Sequence, residues 1–326
     1  MVRNATPVAV AAVFALLGAA GSVLAQSSYP NKPVRWVVPY AAGGGTDVVA
    51  RPIAQRLSEL LGQSIVYENR GGGGGLIAGE LVARSAPDGY TLLVGAGNTC
   101  VFATMLYDKV PFDPVKDFAP ITNFVEVPNI LVARPGFGPK TVQELIAFGK
   151  ANPNKINWAS SGNGAGGHLG LVLFAQNVGI KVAHIPYKGA GPATAAVLGN
   201  EADLLFANAG VFISHIKAGR LRAMGVAAPT RLSIFPDMPT FDEVGVKNVE
   251  NGSLYGLLAP AGTPKPIIAK LHAELVKIIK SPESVARLQS VGAQPVANTP
   301  AEFAEYLRKE VEKWGKIVRE NGIKAG

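Results

Sequence analysis

Val34-Arg-Trp-Val-Val-Pro-Tyr-Ala-Ala-Gly-Gly-Gly-Thr-Asp47, continuing as Val48-Val-Ala-Arg-Pro-Ile-Ala-Gln-Arg-Leu-Ser-Glu-Leu-Leu61, decides the fold class. The apolar run Val34 to Val38 reads as a buried strand. A glycine turn follows, and the segment from about Thr46 to Leu61 has helical periodicity, with Thr46 or Asp47 placed to cap it. Outward from there the alternation repeats. Ser64 to Tyr67 is a second strand, a helix runs from about Leu76 to Ala86, and Thr91 to Gly95 is a third strand. Strands joined by single helices pair in parallel through right-handed crossovers, so this half is α/β.

A second series begins near Ile130 to Ala133. Thr141-Val-Gln-Glu144 is a capping box that opens a helix to about Ala151. Strands at Ile156 to Ala159, Val182 to Ile185, Ala202 to Ala207 and Leu221 to Ala227 alternate with helices at Gly166 to Val178 and Gly191 to Leu198. Thr240-Phe-Asp-Glu243 predicts a one-turn capped helix ending at Gly245. The tail is helical: Ile267, Leu271, Leu275 and Ile278 share one face, as do Phe303, Leu307, Val311, Trp314 and Val318. The expectation is two α/β lobes and a C-terminal helical return, with connections near Glu126 to Asn129 and Asn251 to Tyr255. Residues 26–126 with 253–326 would form lobe 1 and residues 127–252 lobe 2, with a ligand cleft between them.

Residues Met1 to Ala25 read as an export signal. One basic residue precedes the apolar run Val8 to Ala20, and Val23-Leu-Ala25 suits cleavage after Ala25. The run is shorter than the roughly 20 residues that span a membrane. No cysteine stands at the cleavage site, so a lipoprotein-type anchor is not expected. The mature chain would be exported and soluble.

The whole chain has 326 residues, 48% hydrophobic and 17% charged, with 38 glycines, 24 prolines and a net charge of +8. That balance excludes a disordered or fibrous protein. A single cysteine, Cys100, excludes an intramolecular disulfide and a cysteine-rich metal site; it reads as a buried, inert thiol. Basic residues are scattered and aromatics are few, which argues against a nucleic-acid groove. The four histidines show no metal-like spacing, and no cofactor is implied.

Two glycine loops carry the chemistry. The turn Tyr40 to Asp47 and the loop Ser160-Ser-Gly-Asn-Gly-Ala-Gly-Gly-His168 each follow a strand and open a helix. Such turns aim unpaired N–H groups and the positive end of a helix dipole at an anion. Neither has the Gly-x-Gly-x-x-Gly of a dinucleotide site nor the Gly-Lys-Ser/Thr of a P-loop. Asn98, Thr99 and Asn208 add polar groups after strand ends. Gly71 to Gly75 lacks hydroxyls and reads as a structural link. Ser161 with His168 leaves an exported serine hydrolase as one alternative, although no Gly-x-Ser-x-Gly elbow exists.

Several motifs then occur in order: Tyr29-Pro-Asn-Lys-Pro33, Val37-Val-Pro-Tyr-Ala-Ala-Gly-Gly44 with Asp47 and Ala50-Arg51, Glu68-Asn-Arg70, and Ala86-Pro-Asp-Gly-Tyr-Thr91. Pro186-Tyr-Lys-Gly189, Pro236-Asp-Met-Pro-Thr240 with Glu243 and Gly245, Tyr255-Gly256, and Ala259-Pro-Ala-Gly-Thr-Pro264 complete the set. Together they strongly resemble the Bug family of extracytoplasmic solute receptors, which serve tripartite tricarboxylate transporters. The resemblance covers essentially the whole mature chain. It implies a two-lobed periplasmic binding protein of the type II, Venus flytrap kind, with parallel-rich mixed sheets. It further implies a monomer without catalytic activity that captures a small mono- or dicarboxylate for integral membrane transporter subunits. Carried over, one carboxylate is gripped by the turn Tyr40 to Asp47, with Ala41, Ala42 and Gly43 nearest. Ser161, Asn163 and Gly164 meet the other end, with Asn98, Thr99, Asn208 and His168 lining the cleft. Asp47 matches a position that meets an ammonium group in amino-acid-binding members, and otherwise caps its helix. A ligand-sensing role toward a membrane sensor kinase is the alternative that keeps the binding.

Overall fold

The computed structural model describes residues 29–323 except Ala41, Gly43, Gly44 and Lys188. The expected export signal and its cleavage point therefore lie outside the described residues. In chain order the first elements are β1 (Val34–Val38), α1 (Gly45–Leu61), β2 (Ile65–Asn69), α2 (Leu76–Ala83), β3 (Thr91–Ala96), α3 (Ala103–Leu106) and β4 (Phe118–Ala133). Then come α4 (Val142–Ala151), β5 (Asn157–Ser160), α5 (Gly166–Val178), β6 (Ala183–Pro186), α6 (Ala190–Leu198), β7 (Leu204–Asn208), α7 (Ile213–Lys217) and β8 (Arg222–Val226). The last are β9 (Gly252–Pro260), α8 (Lys265–Ile279), α9 (Pro282–Ser290), β10 (Gln294–Pro295) and α10 (Pro300–Glu320).

The strands run in the order β2-β1-β3-β9-β4-β7-β5-β6, with β8 and β10 attached to β4. β1 pairs in parallel with β2 and β3, and β5 with β6 and β7, as strand–helix alternation requires. Two antiparallel strands join the halves. β4 pairs with β9 from Phe118 to Pro128, then with β7 and β8 over Asn129 to Ala133. The expected link near Glu126 to Asn129 is thus no loop but the middle of a 16-residue strand shared by both sheets. The second expected link, near Asn251 to Tyr255, is the start of β9.

Side chains on alternate positions of β1 enter opposite layers. Val34, Trp36 and Val38 join the core under α1 and α8, whereas Val37 joins the core that includes Ala78 and Val82 of α2. This two-sided burial explains why the strand reads as a continuous apolar run. α10 uses the expected apolar stripe, with Phe303, Leu307, Trp314 and Val318 buried. They share a core with Trp158, Leu169 and Phe174, so the tail also braces the second half of the sheet. The Thr299–Glu302 capping box starts that helix as expected.

The sequence at Thr240 gives a capped turn rather than a helix. The Thr240 hydroxyl accepts the Glu243 N–H and the Glu243 carboxylate accepts the Thr240 N–H. Phe241, however, donates its N–H to Val226 O of β8, which ties the segment to the sheet.

Candidate functional site

A cleft of about 450 Å³ opens between the two halves of the sheet, at the C-terminal ends of the parallel strands. Its walls come from Tyr40, Gly45 and Thr46 after β1, Gly97 and Asn98 after β3, the loop Ser161 to Gly167 after β5, Gly189 and Ala190 after β6, and Asn208 at the end of β7. Ser253 and Tyr255 of β9 and Asn129 of β4 complete it, and Phe102, Leu106 and Val211 supply apolar surface. Among the described lining residues none carries a formal charge. A groove of similar size between α1 and α8–α9, about 510 Å³, differs in carrying charged side chains in its lining, among them the ion-paired Arg56 and Glu59.

Three helices begin at the cleft: α1 at Gly45, α5 at Gly166 and α6 at Ala190. The residues ahead of α5 and α6, Ala165 and Gly189, supply no side-chain cap. The first N–H groups of those helices are therefore left for water or a ligand. Their dipoles place partial positive charge in the cleft, equivalent to roughly half an elementary charge per helix end. The loop before α5 needs its glycines: Gly162 and Gly164 have φ of 137° and 71°, a region that disfavours other residues. At Gly167 a Cβ would lie 1.9 Å from Phe206 O, so glycine lets α5 sit directly on β7.

The expected site residues separate into two groups. Tyr40, Asn98, Ser161, Asn163, Gly164 and Asn208 all border the cleft. Among the described residues, the Ser161 hydroxyl and the Asn163 amide make no hydrogen bond to the protein, and both remain free to meet a ligand. Asn98 donates one amide hydrogen to Gly74 O at 2.6 Å, and Gly164 donates its N–H to His168 Nδ1 at 3.0 Å. Asn208 has both amide hydrogens committed, to Val127 O at 2.9 Å and Asn129 Oδ1 at 3.0 Å.

The second group stands behind the wall. Thr99 is wholly buried, and a Cβ on Gly75 would come within 2.1 Å of its hydroxyl. The glycine link thus packs against the segment that carries Asn98 and Thr99. Asp47 is buried in the first turn of α1, where Tyr67, Asn69 and Arg51 hydrogen-bond its carboxylate. Asn69 also donates to Tyr40 O, so Asp47 secures the turn from behind. Ala42 is exposed and does not border the cleft, while Ala41 and Gly43 lie outside the described residues. His168 stacks face to face on His184, with ring centres 4.0 Å apart. Burial and the neighbouring His184 push its pKa down to about 4. His184 Nε2 meets the hydroxyl of Ser160 at 2.7 Å, and Ser160 has no exposed surface.

That pairing removes the hydrolase geometry. His168 Nδ1 is occupied by the Gly164 N–H, and His184 addresses Ser160 instead of Ser161. A nucleophile needs its base within hydrogen-bond reach. Burial likewise pushes the Cys100 thiol up to about 12, which makes it inert at neutral pH. The polar lining residues that the sequence did not assign to the site are Asn129, Ser253 and Tyr255. They come from β9 and from the middle of β4, whose strand character the sequence hides.

The chain matches the family model of the tripartite tricarboxylate transporter family receptor over residues 49–323. It is 33% identical over 317 residues to protein BugT of Bordetella pertussis, covering 97% of each chain. A solved Rhodopseudomonas palustris protein with adipate is 31% identical, with a TM-score of 0.80 over 91% of this chain and 99% of that one. MatC from Rhodopseudomonas palustris with bound malate is 34% identical, with a TM-score of 0.75 over 89% of this chain and 100% of that one.

Proposed function

Because the chain belongs to the tripartite tricarboxylate transporter receptor family, the Bug-type extracytoplasmic solute receptors, we propose that it captures a small dicarboxylate between its lobes and delivers it to integral membrane transporter subunits. The protein is a periplasmic solute receptor and not an enzyme. The lobes on this reading are residues 26–126 with 253–326 and residues 127–252, meeting where β4 passes from one sheet to the other and β9 begins beside it. Export follows cleavage after Ala25, and the receptor acts as a monomer.

One observation carries the ligand class. Three helix starts and neutral donors converge from both sides on a cleft whose described lining has no cation. One carboxylate is assigned to Ser161, Asn163 and the α5 N-terminus, the other to the turn from Tyr40 to Thr46 and to Asn98. Asn208, with its amide hydrogens engaged, positions the hinge and does not donate to the ligand. Donors on opposite walls favour a diacid over a monoacid. Support also comes from the adipate and malate held by the two Rhodopseudomonas palustris proteins.

Calorimetry with adipate, malate and the monomethyl ester of each tests this. Diacids should bind, and neutralising one carboxylate should weaken binding at least tenfold. No heat with any mono- or dicarboxylate would sink the reading. Ser161→Ala should cost about 1 kcal/mol or more of affinity, roughly a fivefold rise in Kd, because it removes a donor to a charged group. An unchanged Kd removes Ser161 from the site.

A further inference from the structure

Three asparagines at the junction of the lobes form one directional hydrogen-bond chain. Asn208 donates to Val127 O at 2.9 Å and to Asn129 Oδ1 at 3.0 Å. Asn129 donates to Asn251 Oδ1, and Asn251 donates to Gly166 O at 3.0 Å. Both ends are backbone carbonyls, which can only accept. Every amide between them is therefore fixed in orientation, oxygen toward one neighbour and nitrogen toward the next. A flip of any one would set two oxygens or two N–H groups against each other.

The chain connects the elements that matter for capture. Asn129 lies in β4 where that strand passes from one sheet to the other, and it faces Asn208 of β7 across the ladder. Asn251 immediately precedes β9, and its backbone exchanges hydrogen bonds with Asn129 and Ala227. Gly166 opens α5, whose N-terminus borders the cleft. Glycine at 170 makes the approach possible, since a Cβ there would lie 2.9 Å from Asn251 Nδ2 and 2.3 Å from Phe206. Asn129 and Asn251 are 2% and 5% exposed, so an unpaired amide at either place is disfavoured. Asn251 does not border the cleft.

We propose that Asn251 is a positioning residue for ligand capture: through Asn129 and Gly166 it locks the start of α5 to the strands that cross between the lobes, so that the helix N-terminus points at the bound carboxylate. The inference rests on the receptor reading, since it concerns the same cleft. Asn251 acts only through the groups that it holds. Removing it frees Gly166 to drift and weakens the hold on an anion without deleting any group that touches it.

The test compares Asn251→Ala with Leu145→Ala, a core truncation in α4 at a residue that does not line the cleft, as a control for general destabilisation. Asn251→Ser serves if the alanine variant does not fold. In the ligand-free protein, amide exchange over residues 165–171 should accelerate several-fold in Asn251→Ala and stay near wild type in Leu145→Ala. Calorimetry with adipate and malate should give a Kd about tenfold weaker for Asn251→Ala and unchanged for Leu145→Ala. Asn129→Ala combined with Asn251→Ala should bind no worse than Asn129→Ala alone, as expected for links of one chain. Exchange over 165–171 equal to the control, or a Kd within twofold of wild type, overturns the proposal. If the wild type binds neither diacid, the receptor reading fails, while the exchange comparison still decides whether Asn251 positions α5.

Discussion

His168 shows how little a residue's type says about its task until its neighbours are known. From the sequence it is expected to line the cleft. In the fold it sits within the first turn of α5, behind the loop, where Nδ1 accepts the Gly164 N–H and the ring stacks on His184. Accepting at Nδ1 requires the neutral imidazole with its proton on Nε2. Burial and the adjacent His184 hold the pKa near 4, against an ordinary value of about 6.5. The sign follows from proton counting. Between those values the unfolded chain binds more protons than the folded one, so stability is complete above about 6.5 and declines toward pH 4. After discounting for its partial exposure, the loss is on the order of 2 kcal/mol. His168→Gln, which cannot titrate, should lack this component. Melting temperatures measured from pH 7.5 to 4 should converge for wild type and variant as pH falls. Parallel curves would mean that His168 is not neutral by virtue of its surroundings.

At the scale of elements, what was legible depended on whether burial leaves a periodic trace. β1 to β3 and β5 to β8 alternate with helices, and their short apolar runs reveal them within a few residues. β4 and β9 do not. Pro120 and Pro128 interrupt β4, and Thr122, Asn123 and Asn129 put polar groups where an apolar run is sought. The strand survives because register shifts at Pro120/Thr122 and Asn123/Val125 absorb the irregularity. β9 carries Gly256, where a Cβ would meet Phe303 at 2.7 Å and Thr122 O at 2.8 Å. A glycine inside a strand marks close approach, which no single-segment pattern reveals. The loop side of the site was readable because its glycines cluster; the strand-borne side, Asn129, Ser253 and Tyr255, was not. The same logic makes Gly167 critical. With a Cβ 1.9 Å from Phe206 O, Gly167→Ala must push α5 away from β7. It should cost about 2 kcal/mol or more in stability by urea denaturation, within the range for overpacking. Ligand affinity should fall as well, because the displaced helix starts at the cleft. A variant with wild-type stability would show that α5 is not seated directly on the strand.

For the molecule as a whole, the net charge of +8 and the neutral lining of the cleft must be given separate tasks. Many of the cations are spent in surface pairs, such as Arg308 with Glu305, Arg231 with Glu243 and Lys277 with Glu274. The residual field is diffuse and acts on an approaching anion across solvent, where salt screens it over roughly 10 Å at 0.1 M. On the proposed reading, the seated anion would be held by hydroxyls, amides and helix ends in the cleft, at contact distance and with no charged side chain among the described lining. Salt should therefore act on arrival and leave escape alone. In stopped-flow measurements with adipate or malate, raising NaCl from about 20 to 500 mM should lower the association rate by a few-fold, as expected for weak steering. The dissociation rate should stay within about twofold, and Kd should follow the association rate. A dissociation rate that rises steeply with salt would place a solvent-screened cation in direct contact with the ligand, and the account of a neutral grip would have to be abandoned.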